Sequence, residues 1–340
     1  MMHLTTLANG LRVASRPMQS VETVAVGLYA DTGSRYEPMR LNGLAHLFEH
    51  MVFKGAGGRS AREISELVEN VGGELNASTD RELTAFYASL LAPDLPLGVS
   101  LLADLVCRPH FEASHLELEK KVVLQELAEA RDTASDIVFD HLQEAAFPDQ
   151  PLGRSVLGND KSIRGVALED LHGWMTAHYV PNRLILVAAG KLDHERLLDL
   201  AEQHFGSMAA GAAASAEPAS FTGGQRIERR RAQQAHIALA MPAPCWGAPD
   251  AFAAQLFADV VGSGASCRLF QQLREEQGLA YSVSAGAQHY SDCGMFWTYV
   301  ATSPQDAAWA RAEVERVLAE AVDGLTQAEV DRARAVAKAM

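Results

Sequence analysis

The chain contains the same pattern twice. Residues 254–259, AQLFAD, restate residues 45–50, AHLFEH, with the apolar skeleton kept and the polar groups exchanged. The correspondence extends on both sides. QAHIALAMPA echoes ETVAVGLYAD, SCRLFQQLREEQGLAYSVS lines up with SAREISELVENVGGELNAS, and LTQAEVDRARAVAKAM overlies FEASHLELEKKVVLQE. A repeat of this length predicts two copies of one folding unit. The 340 residues are enough for two such domains, each with its own core.

Each copy alternates strand and helix patterns. HLTTLANGLRVASRP reads as two short strands around an Asn-Gly turn, and TVAVGLYADTGS as a buried strand. LNGLAHLFEHMVF is a helix with an apolar face. SAREISELVENVG is an amphipathic helix opened by Ser60, with Glu63 three residues on as a capping box. GELNASTDRELTAFYASL reads as two strands, SHLELEKKVVLQELAEARD as a helix, and RLILVAAG as a buried strand before the helix HERLLDLAEQHF. Residues 206–220, GSMAAGAAASAEPAS, have the composition of a linker. The expected fold class is α+β. Two repeated domains, 1–205 and 221–340, each have a mixed, mainly antiparallel sheet with helices on one face. The second copy ends about 80 residues before the length of the first, so it is expected to be a shortened domain or part of a longer protein.

Within the first copy, His46, Glu49 and His50 stand on a helix whose other positions are apolar. His46 and His50, four apart, share one face a turn from each other, and Glu49 lies about 60° to one side. Burying three such groups without partners is costly. A hydrogen-bonded core network is one solution. A metal ion is the other: two neutral imidazoles bind zinc, and the glutamate stands beside a water as base. The repeat favours the second, because Gln255, Ala258 and Asp259 build the same helix without these groups.

Two histidines leave a zinc site short of a protein ligand, so a third is expected on another element. The helix 114–132 carries Glu117, Glu119, Glu126, Glu129 and Asp132. Glu126 borders the apolar stripe of Leu116, Val123 and Leu127, and Glu119 lies two turns before it. The alternative for every one of these carboxylates is a solvated helix face.

His46-x-x-Glu49-His50 followed by Glu126, 76 residues after His50, resembles the inverted zinc motif of the pitrilysin/insulinase metallopeptidases, family M16. The resemblance runs from LANGLRV through NGLAHLFEHMVFKG, ELVENVGGELNASTDRE and PLGRSVLG to SCRLFQQLREEQGLAYSV, and is closest to the mitochondrial-processing-peptidase-like bacterial subfamily. It implies Zn2+ held by His46, His50 and Glu126, with Glu49 as general base and Glu119 in support. It also implies substrate contacts from Asn76 and Ala77 on an edge strand, and from Arg274 and Tyr281 in the second domain. It further implies a peptide chamber enclosed by the domains, and a dimer with a second copy or a related subunit.

The net charge of −14 argues against a nucleic-acid partner and suits cationic or unfolded peptides. A hydrophobic fraction of 48% with 21% charged residues is that of a globular chain, and no apolar run is long enough to span a membrane. The four cysteines form no C-x-x-C pair, and no signal peptide is seen, so the expected compartment is the cytoplasm. The expected activity is a zinc metalloendopeptidase acting on short or unfolded peptides. The rival readings are a non-catalytic subunit, disfavoured by the intact ligand set, and a zinc-binding chain that turns over poorly.

Overall fold

The computed structural model describes residues 1–212 and 215–339. The expected linker, 206–220, includes residues 213 and 214, which lie outside the described residues. The chain divides into two compact units. The first is Met1–Ala128 with Arg154–Glu217, and the second is Glu129–Gly153 with Pro218 onward. The crossover near residue 217 falls within the expected linker. Residues 129–153, which the sequence reading leaves in the first domain, belong to the second unit. Their helix, Ala134–Ala146, packs on the strand Ala235–Ala243 and buries Leu142 and Ala146 in a cluster with Phe147, Tyr290 and Met295.

The first unit is built on a six-stranded sheet. Its order is His3–Thr6, Arg12–Pro17, Leu184–Gly190, Thr23–Ala30, Thr84–Leu91, Glu74–Thr79. All neighbours are antiparallel except Arg12–Pro17 and Leu184–Gly190, which run parallel. Leu184–Gly190 alternates buried and half-buried residues along its length, the period-two signature of a strand with one face in the core. Glu74–Thr79 is an edge strand. It exposes Glu74, Asn76 and Ser78 and half-buries Leu75, Ala77 and Thr79.

Helices cover this sheet. Leu44–Val52 buries Leu44, Ala45, Leu47, Phe48, Met51 and Val52 and lies against the edge strand. Ala61–Glu69 starts with the expected capping box: the Glu63 N–H donates to Ser60 Oγ at 3.4 Å, and the Ser60 N–H donates to Glu63 Oε2 at 2.8 Å. Ser60→Ala is therefore expected to lower stability by about 1 kcal/mol, read from the midpoint of urea unfolding. Ala113–Asp132 buries the predicted stripe of Leu116, Val123 and Leu127, and also buries Glu119 and Lys120. Asp160–Gly165 and Leu168–His178 are helices in a stretch the sequence reading leaves unassigned.

The second unit repeats the topology. Ala235–Ala243, Gly294–Thr302 and Ser282–His289 form an antiparallel sheet in that order, matching Thr23–Ala30, Thr84–Leu91 and Glu74–Thr79 of the first unit. Ala251–Gly262 takes the place of the motif helix, and Gln327–Ala339 packs on it. The core here is Leu269, Leu273, Val300, Val314 and Val317. Among the described residues no helix is long and apolar enough to cross a membrane.

Candidate metal centre

Helix periodicity fixes the first half of the site. The rings of His46 and His50 meet edge-on with centroids 4.6 Å apart. The long helix Ala113–Asp132 supplies the second half. Glu126 Oε2 lies 3.9 Å from His46 Nε2 and 3.6 Å from His50 Nε2. These separations are too long for hydrogen bonds. They are close to the edge of a tetrahedron drawn around a zinc ion with ligand bonds of about 2.1 Å, which is about 3.4 Å. One donor atom from each of the three residues lies within 4.8 Å of the other two.

The protonation states suit a cation. Burial, with the charge of His50 as a smaller cause, pushes the His46 pKa down to about 4, so its imidazole is neutral near pH 7. Its Nδ1 is buried and has no hydrogen-bond partner among the described residues. His50 Nδ1 donates to Glu119 Oε2 at 3.1 Å, which fixes the tautomer and leaves the Nε2 lone pair on the side of Glu126. The other oxygen of Glu119 takes Lys54 Nζ at 2.9 Å. Two imidazole nitrogens and a carboxylate oxygen, two of them on one helix turn, are a donor set that fits zinc. Glu126 keeps 38% of its side chain exposed, so the group is open on its side.

Glu49 points to a different partner. The Thr79 hydroxyl donates to Glu49 Oε2 at 2.5 Å. Burial raises the Glu49 pKa and nearby Glu126 adds to the rise, while the Thr79 hydrogen bond and His50 oppose it. The carboxyl thus stands beside the metal-type donor group with burial favouring its protonated form. Thr79 closes the same edge strand that carries Asn76 and Ala77. Asn76 is exposed, and its Oδ1 accepts the Ala77 N–H at 2.8 Å.

The structure thus brings together His46, Glu49, His50, Glu119 and Glu126, with Asn76 and Ala77 on the adjoining strand. Arg274 and Tyr281 belong to the second unit. The Arg274 guanidinium lies 4.9 Å from the centre of the Phe270 ring, and Tyr281 is 59% exposed. Two contributors escape sequence reasoning. Lys54 had a signal: four residues after His50, it is matched by Ser263, four after Asp259 in the other copy. Thr79 had none, because only the pairing of its strand brings it to Glu49.

Comparisons with known proteins place the chain in a family. The family Insulinase (Peptidase family M16) matches residues 12–160, and the family Peptidase M16 inactive domain matches residues 165–336. An uncharacterised zinc protease of Mycobacterium leprae is 36% identical over 332 residues, covering 96% of this chain and 75% of that protein. The mitochondrial-processing peptidase subunit beta of Pongo abelii is 34% identical over 347 residues, covering 98% of this chain and 71% of that one. In three dimensions the fold is similar to the crystal structure of a protease from Helicobacter pylori. The TM-score is 0.91 at 22% identity, covering 100% of this chain and 84% of that one. With a two-domain fold, an inverted His-x-x-Glu-His helix and relatives of this kind, the chain belongs to the insulinase family of peptidases, M16, and within it to the mitochondrial-processing-peptidase-like proteins.

Proposed function

We propose that this chain is a zinc-dependent endopeptidase acting on short or unfolded peptides. The observation that carries the reading is the convergence of His46, His50 and Glu126 from two distant helices, with the donor separations described above. His46, His50 and Glu126 would hold the ion. When bound, zinc supplies Lewis acidity, which polarises a peptide carbonyl and lowers the pKa of water.

The chain's own residues supply the rest. Glu49, held by Thr79, takes a proton from the attacking water and returns it to the leaving amine. Glu119, backed by Lys54, holds the His50 ring in the tautomer that presents Nε2. Among the described residues the edge strand Glu74–Thr79 has one side without a neighbour in the sheet and ends at Thr79, so a peptide paired along it at Asn76 and Ala77 would run towards Glu49. Arg274 and Tyr281 are assigned to substrate contact on the family resemblance. Relatives named as subunits support a dimeric assembly, with a second copy or a related chain.

The test is cleavage followed by mass spectrometry. Unfolded basic peptides are offered to the zinc-loaded protein with and without a chelator. Cuts that vanish with chelator and return with zinc support the reading. A zinc-loaded protein that binds these peptides and leaves them intact overturns the activity and leaves a peptide-binding subunit.

A further inference from the structure

The motif helix is short, and its N-terminal end has no cap of its own. Gly43 occupies the N-cap with φ 93°, a left-handed conformation that favours glycine, and it offers no side chain to the free N–H groups of the first turn. Two N–H groups of this end, those of Gly43 and Ala45, are nevertheless satisfied from a distance. Glu37 Oε2 accepts the Gly43 N–H at 2.8 Å and the Asn42 side-chain amide at 3.0 Å, and Glu37 Oε1 accepts the Ala45 N–H at 2.7 Å. Ala45 immediately precedes His46. Glu37 is 3% exposed, so its carboxylate sits inside the protein at the positive end of the helix.

The segment that follows residue 153 holds this arrangement in place. An Arg154 Nη donates to the Glu37 carbonyl at 2.8 Å. The Asn42 amide also donates to the Ser155 carbonyl at 3.0 Å, and Ser162 Oγ donates to the Asn42 carbonyl at 2.6 Å. Gly43 is pressed against the same segment: a Cβ there would lie 2.6 Å from Ile163 Cδ1 and 2.8 Å from the Leu157 carbonyl. The motif PLGRSVLG, which the chemistry of the metal centre leaves without a role, thus packs against the entry of the metal-binding helix.

We propose that Glu37 is a positioning residue for the metal centre. Its buried carboxylate, which accepts from the Gly43 and Ala45 N–H groups and the Asn42 amide, fixes the N-terminal end of Leu44–Val52 and so sets His46 and His50 against Glu126. The inference rests on the zinc-binding reading above. Both oxygens of Glu37 accept N–H donors, so an amide in its place would set its own NH2 against a donor, while preserving size and shape. Burial drives the Glu37 pKa up to about 7 against these donors and Arg154, which marks the carboxylate as a group retained at a cost to ionisation. The far end of the helix is tied through Lys54 and Glu119, so the metal-binding turn is clamped at both ends.

The experiment compares Glu37→Gln with Leu197→Ala. Leu197 is fully buried in the helix His194–Phe205, which packs on Arg12–Pro17 and takes no part in the metal centre. Zinc affinity is measured by competition with a chromophoric chelator, and the visible spectrum is recorded after cobalt substitution, both where circular dichroism shows the proteins folded. Glu37→Gln is expected to weaken zinc binding by about 10–100-fold, as for other groups that orient a ligand from behind, and to shift the cobalt bands. Leu197→Ala, destabilised at least as much, is expected to keep the wild-type affinity and spectrum. If Glu37→Gln does not fold, Asn42→Ala, which removes one of the three donors, carries the test and is expected to shift the cobalt bands in the same direction. Wild-type affinity and spectrum in the folded Glu37 variant, or in Asn42→Ala where that carries the test, or equal weakening in Leu197→Ala, overturns the proposal. A wild-type protein that takes up no zinc removes the zinc-binding reading itself, and this proposal with it.

Discussion

Glu49→Gln is expected to retain one equivalent of zinc and to lose peptide hydrolysis by about 10³–10⁴-fold, the upper part of what a positioned general base contributes. The asymmetry follows from the geometry. Glu49 is not part of the group in which His46, His50 and Glu126 bring their donor atoms together; its Oε2 is bonded to Thr79 instead. An amide at this position still accepts the Thr79 hydroxyl through its carbonyl oxygen, so the helix has no reason to move. What disappears is the ability to take up and return a proton. Metal content by elemental analysis and turnover by mass spectrometry check the two halves separately. Turnover near the wild-type level in the zinc-loaded variant would remove Glu49 from the role of base. Loss of zinc together with turnover would make Glu49 a ligand or a structural prop.

The legibility of this molecule from its sequence divides along a physical line. Features with a local period were readable. The 3.6-residue repeat placed His46 and His50 on one face, the short continuous apolar run LILVAAG marked a buried strand, and Ser60 with Glu63 marked a helix start. The internal repeat added a comparison that periodicity cannot supply: the second copy, with Gln255, Ala258 and Asp259, showed that the fold does not demand the polar triplet. What stayed hidden was fixed by tertiary contact between distant segments. Spacing left Glu126 among five carboxylates on its helix, and it was the family resemblance that named it; the packing of Ala113–Asp132 beside Leu44–Val52 is what brings it to the histidines. Thr79 reaches Glu49 through strand pairing, and Glu37 reaches Ala45 across a left-handed glycine; no spacing rule encodes either. Residues 129–153 end in the breaker PDQPLG, but nothing local assigns the helix before it to the other unit; Ala134–Ala146 finds its apolar partner on a strand about 100 residues later.

Zinc affinity is expected to fall more steeply in Glu126→Gln than in Glu119→Gln, and the order is the informative quantity. The two glutamates lie two turns apart on one helix, and both face the histidines. Glu119 touches the back of His50, at Nδ1, and its other oxygen is taken by Lys54. A glutamine offers one acceptor oxygen to these two donors and sets its NH2 against the other, so the orientation of His50 is no longer fixed, a loss that typically costs about 10–100-fold in metal affinity. Glu126 instead approaches both Nε2 atoms, at 3.6 and 3.9 Å, with no hydrogen bond to either. Neutralising it removes the anionic ligand and leaves two imidazoles, so the loss is expected to exceed about 100-fold, beyond the range of an orienting partner. Glu126 is also partly exposed whereas Glu119 is buried, so the variant with the larger loss of metal should show the smaller loss of thermal stability without metal. Competition with a chelator and thermal unfolding of the metal-free variants supply the two orderings. A Glu119 variant that binds zinc more weakly than the Glu126 variant would exchange their roles, making Glu119 the ligand and Glu126 a solvated carboxylate at the rim.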